Sequence, residues 1–168
     1  IIVAHGHGPS TNYIKNHASE FRDKYGLVVL NCWSKNSANL CIMCDHAAAN
    51  ETSLMMYLYP GSVDLNRLGD APHQGVGGRD PKKYATQEDG EKLTVTIVDR
   101  LARLAKRMPV WNRETLQKFI DAESALVNRQ MELMGETGNA WAGWRNIPQG
   151  AFAKYGEWLA EEKFDEIM

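Results

Sequence analysis

The chain has 168 residues, 43% of them hydrophobic and 24% charged, with a net charge of −2 and a pI near 6.2. That balance marks a folded globular chain, and it lacks the concentrated Lys/Arg face that phosphate binding needs. No apolar run approaches the roughly 20 residues that span a bilayer, and three cysteines, an odd number, make no disulfide framework. We therefore expect no nucleic-acid partner, no membrane and a reducing, cytoplasmic setting.

Ile1 to Ala4 reads as a buried strand with no polar lead-in, from which we expect a preceding segment or companion chain. The turn His5-Gly6-His7-Gly8-Pro9-Ser10 follows. Thr11 to Tyr25 then reads as a helix stopped by Gly26, and Leu27 to Trp33 as a strand buried on both faces. Leu40 to Cys44 is a further short strand or a buried turn. Asn50 is placed to cap a helix whose apolar stripe is Leu54, Met55 and Leu58, with Pro60-Gly61 ending it.

Val63 to Tyr84 is rich in Gly, Pro, Asp and Asn and reads as a long loop, a type that is usually functional. Thr86-Gln87-Glu88-Asp89 resembles a capping box, and Leu93, Ile97, Leu101, Leu104 and Met108 recur at helical spacing behind it. Pro109 closes this helix and Asn112 caps the next. Gly135 to Asn146 is a loop, and Gln149 to Ile167 reads as one amphipathic helix. Alternation of strand and helix predicts a parallel sheet faced by helices.

Two clusters carry candidate chemistry. The His5-Gly6-His7 turn lies between a strand and a helix, where α/β sheets bind ligands, and imidazole nitrogen suits Zn, Mn or Fe. By itself it is equally a Gly-rich turn whose histidines bond backbone. In Asp45-His46-Ala47-Ala48-Ala49-Asn50-Glu51-Thr52-Ser53, His46 has the chemistry of an acid or base, and Glu51 that of a hard-oxygen metal ligand or of a first-turn charge on a helix. The lone CxxC at Cys41-Ile42-Met43-Cys44 reads as two buried thiols. His73, in the long loop, lines a site or is an ordinary loop residue. Trp141 and Trp144 form a lid, an oligomer contact or a core anchor.

Taken in order, these segments resemble the creatininase family. Its N-G-H-G-G-N-like turn is similar to His5-Gly6-His7-Gly8-Pro9-Ser10, and its H-A-G-E-x-E-T-S segment to His46 through Ser53. Its G-x-x-G-D-P-x-x-A-T-x-E-x-G pattern is similar to Gly75 through Gly90, and the likeness covers about residues 1 to 106.

The resemblance implies a three-layer αβα sandwich with a mainly parallel sheet over residues 1–108 and homo-oligomers, often hexamers; residues 109–168, outside the likeness, read as a C-terminal helical tail. It implies hydrolysis of a cyclic amide or related C–N or carbonyl substrate by water activated at a site of two divalent metals, Zn, Mn or Fe. His7 and Glu51 take the place of metal ligands and His46 of the catalytic histidine, with His5, Asp45 and Trp144 as candidate contacts to a small-molecule substrate.

The family's E-x-H-G-x-H-L-P-like motif and its later metal-bridging Asp have no counterpart in residues 1–168. His5, Pro9 and Ala49 also replace the family's Asn, second Gly and first Glu. Two ligands do not hold a dinuclear centre. An N-terminal segment or partner chain therefore completes the site, or the chain is a non-catalytic subunit for assembly or ligand binding.

Overall fold

The computed structural model describes residues 1–3, 17, 20–27, 29–31, 45–134 and 153–168. They are predominantly helical. Contacts divide the chain into two compact units, one of Ile1–Cys41, Asp99–Arg129 and Phe152–Met168, the other of Ile42–Val98 and Gln130–Ala151.

In the first unit, β1 (Ile2–Val3) pairs in parallel with β2 (Leu30–Asn31), Ile2 opposite Leu30 and Val3 opposite Asn31. Helical residues 20–25 (α1) end where the Gly26 N–H returns to the Arg22 carbonyl at 2.9 Å. The helical part of this unit is held by an aromatic cluster. Trp111 and Phe119 lie 5.2 Å apart between ring centres, and Phe164 meets each of them edge-on at 5.9 Å. Leu104, Leu126, Leu159 and Ile167 are fully buried in the same unit.

The expected αβα sandwich is corrected here. Among the described residues the sheet is a single pair of two-residue strands, with one isolated bridge elsewhere. The apolar run from Leu27 suggested a long strand. Of that run the structure describes Leu27, Val29, Leu30 and Asn31, and among the described residues only Leu30–Asn31 is strand, paired with Ile2–Val3. The strand or turn expected at Leu40–Cys44 lies outside the described residues.

The second unit begins with α2 (Ala49–Leu58). The segment expected to be pure loop instead holds a 3-10 turn (Leu65–Arg67) and α3 (Pro81–Tyr84), capped by the carboxylates of Asp64 and Asp80. α3 packs on both α2 and the 3-10 turn. α4 (Gln87–Arg107) runs on from this unit into the first. Thr86 caps it through a bond from the Asp89 N–H at 3.0 Å, and Asn112 caps α5 (Arg113–Met134) through one from Thr115 at 2.8 Å, as the sequence predicts.

Two boundaries differ from expectation. α2 starts one residue before Asn50, and its cap comes from Asp45. The helix expected over Gln149–Ile167 is broken. α6 (Ala153–Ala160) gives way to a turn in which Glu162 takes a left-handed φ of +62°, and a short 3-10 turn (Phe164–Glu166) follows. The Glu162 carboxylate accepts from the Trp111 indole N–H at 3.0 Å and lies 3.4 Å from Arg107, contacts that draw the chain back and bury Phe164. No helix among the described residues is long and apolar enough to cross a membrane.

Candidate functional site

The site is built on the turn from Asp45 to Glu51 in the second unit. Asp45 is 6% exposed, and its two carboxylate oxygens accept the N–H groups of Asn50 at 2.6 Å and Glu51 at 3.0 Å. These are amides that the first turn of a helix leaves without intrahelical partners. Ala47, between them, adopts a left-handed φ of +49°, unusual for a residue with a Cβ, and its N–H donates to the Glu51 Oε2. One carboxylate thus holds the helix start and the other holds the turn before it. Glu51 is half-buried.

His46 is placed by a second segment. Its N–H donates to the Gly77 carbonyl at 2.9 Å and its carbonyl accepts from Gly77 N–H at 2.8 Å, an isolated antiparallel bridge. Gly78 follows with φ of +149°, and a Cβ there would come within 2.7 Å of the Cβ atoms of both Asp45 and Ala48. Only glycine fits this approach. The Ala49 N–H then donates to the Arg79 carbonyl at 3.1 Å, and the Thr86 N–H to Ser53 Oγ at 3.0 Å. The two motif segments, 45–53 and 75–90, are therefore stitched together along their lengths.

Burial pushes the Asp45 carboxyl up to about 6. The amides of Asn50 and Glu51 pull the other way, the Glu51 charge adds to the rise and the Arg79 charge opposes it. Arg79 lies with its guanidinium carbon 4.8 Å from the centre of the Tyr84 ring.

The structure thus brings Asp45, His46 and Glu51 into one turn. His5, His7, Trp144 and the CxxC pair lie outside the described residues. Gly77, Gly78 and Arg79, which the sequence offers only as part of the Gly75–Gly90 motif and not as site residues, adjoin this turn. Their signal was the Gly-rich run opposite a histidine turn, which reads as a site only once the bridge to His46 is known.

A divalent metal needs about three protein ligands. Among the described residues no three His, Cys, Asp or Glu side chains converge, and the Asp45 carboxylate is engaged by two amides. The described residues therefore do not make a metal centre by themselves.

The chain belongs to the creatininase family, whose model, described as creatinine amidohydrolase, matches residues 1–105. Neither the curated proteins nor the solved structures contain a match to it.

Proposed function

We propose that the chain is part of a metal-dependent amidohydrolase acting on a cyclic amide or a related small-molecule C–N or carbonyl substrate. The observation that supports this reading is that the turn carrying Asp45, His46 and Glu51 falls inside the region matched by the family. In this reading His46 transfers a proton to or from the substrate. Its backbone is clamped on both sides by Gly77, so the ring has a fixed base. Glu51 and His7 are metal ligands, and a preceding segment or partner chain supplies the rest. When bound, a divalent metal (Zn, Mn or Fe, two in a complete site) provides water acidic enough to act as hydroxide near neutral pH. His5, Asp45 and Trp144 contact the substrate, and the chain assembles with copies of itself.

The test is turnover of creatinine and other small cyclic amides by the native assembly, against His46→Ala. Proton transfer by a positioned side chain is worth roughly 100- to 10,000-fold. A loss of that size with an unchanged thermal midpoint supports the proposal, and no turnover by the native assembly refutes it.

One observation favours a second reading, a creatininase-like subunit without catalysis. Asp45 and Glu51 both have structural work to do, as helix cap and turn clasp. A chain that kept them for folding alone would show the same turn.

A further inference from the structure

Arg79 stands beside the His46 turn with its guanidinium unpaired by any carboxylate among the described residues. Its carbonyl accepts the Ala49 N–H at 3.1 Å, which pins its backbone to the start of α2. It follows Gly77, the bridge partner of His46, by two residues, a span of at most about 7 Å along the chain. Arg79 is half-buried, and its Nε is dry and has no hydrogen-bond partner. Buried N–H groups in folded proteins are bonded, so this one calls for an acceptor.

The nearby carboxylates do not supply it. Asp45 accepts the amides of Asn50 and Glu51, and Glu51 accepts that of Ala47. Asp80 accepts the Lys82 N–H at 2.9 Å and lies 3.3 Å from His73 Nε2. Arg79 is close enough for its charge to act on Asp45, yet the two form no hydrogen bond. Its side chain lies instead against the Tyr84 ring, with the guanidinium carbon 4.8 Å from the ring centre. Lys83 lies over the same ring at 5.1 Å. An aromatic ring compensates charge only weakly, and here one ring serves two cations.

We infer that Arg79 is a specificity-determining residue that takes a carboxylate carried by the substrate of the His46 turn. This rests on the amidohydrolase reading above and names its substrate class, a cyclic amide that is also a monoanion. A guanidinium fork meets a carboxylate with two parallel N–H bonds, and Nε–H is one of the five donors it offers. A bound carboxylate gives the orphan Nε–H its acceptor and neutralises the corner made by Arg79 and Lys83. A singly charged group suits this place better than a phosphate, because Asp45, Glu51 and Asp80 already set negative charge around it.

The experiment is calorimetric binding to the native assembly of pyroglutamate, a cyclic amide bearing a carboxylate, and of pyrrolidinone, the same ring without it. Wild type is compared with Arg79→Gln and Arg79→Lys. Charge-assisted bonds of this kind are worth roughly ten- to a hundredfold in affinity. Wild type should prefer pyroglutamate by that factor, Arg79→Gln should bind the two rings equally, and Arg79→Lys should keep part of the preference, having the charge without the fork. Equal binding of the two by wild type, no binding of pyroglutamate, or a preference unchanged in Arg79→Gln overturns the inference. Ring opening, followed in the same samples, separates this inference from the reading beneath it. A preference that needs Arg79 while neither ring is opened keeps the carboxylate site and removes the hydrolase, whereas equal opening of both rings keeps the hydrolase and removes the carboxylate site. If Arg79→Gln loses its cooperative thermal transition, Arg79→Lys decides, since it keeps a cation for Tyr84, and a preference it leaves undiminished overturns the inference.

Discussion

Gly90, in the first turn of α4, lies directly against the backbone of Ser53 in α2. A Cβ at position 90 would overlap the Ser53 carbonyl and come within 2.9 Å of Tyr57 Cβ. Ser53 is 1% exposed, accepts the Thr86 N–H and donates to the Ala49 carbonyl. The motif residues Ser53, Thr86 and Gly90 thus form one junction between two helices, and their residue types follow from its tightness.

In an exposed helix interior, Gly→Ala gains roughly 0.5–1 kcal/mol. At this junction the sign reverses. Gly90→Ala is expected to cost about 1–3 kcal/mol or more, because overpacking against backbone has no side chain to move aside. Urea denaturation measures it, and a gain in midpoint would remove the junction from the account.

Asp45→Ala leaves two helix-start amides without their acceptor. Loss of a cap costs about 0.5–2 kcal/mol, with more where the amides stay dry. Asp45→Asn, with one acceptor oxygen in place of two, is expected to lose less. Thermal melts of the two variants give the order.

Phe164→Ala opens the cluster of Trp111, Phe119 and Phe164 in the first unit. Truncating a buried phenylalanine costs roughly 3–5 kcal/mol. Tryptophan fluorescence of Trp111 during denaturation, with the other tryptophans replaced, should show a lowered midpoint and a changed native signal.

Glu123 gives the chain a pH dependence. Its Oε1 is buried without a hydrogen-bond partner, although the residue as a whole keeps some exposure. Burial pushes its carboxyl from the ordinary 4.5 up to about 8. A group whose folded value is raised contributes stability below its unfolded value and loses it as pH rises through the folded one. Stability from this group is therefore complete below about 4.5 and lost by about 8. Glu123→Gln should match wild type near pH 4 and exceed it at pH 9, by denaturant midpoint. Parallel pH curves for the two proteins would contradict the assignment.

Local signals carried much of this structure. The caps at Thr86 and Asn112 and the stop at Pro109 were legible because each depends on residues within one turn. The sheet was not, because pairing of Ile2–Val3 with Leu30–Asn31 is non-local and apolar runs do not state where a partner ends. Asn50 looked like the cap of α2, but Asp45 reaches that role from five residues away through the left-handed Ala47. Glu162 breaks the last helix without Gly or Pro, by contacts with Trp111 and Arg107 that lie far off in sequence. Of the candidate site, the residue types at Asp45, His46 and Glu51 were visible, whereas the bridge to Gly77 was not.

The claim that this turn serves a metal-dependent amidohydrolase is tested most directly by elemental analysis of the purified native assembly, with intact mass to detect a companion chain. The account predicts about one or two tightly held Zn, Mn or Fe per protomer, lost in His7→Ala and Glu51→Gln. An assembly that binds no divalent metal when offered it, and in which Glu51→Gln changes only stability, would contradict the account and leave Asp45 and Glu51 as architecture.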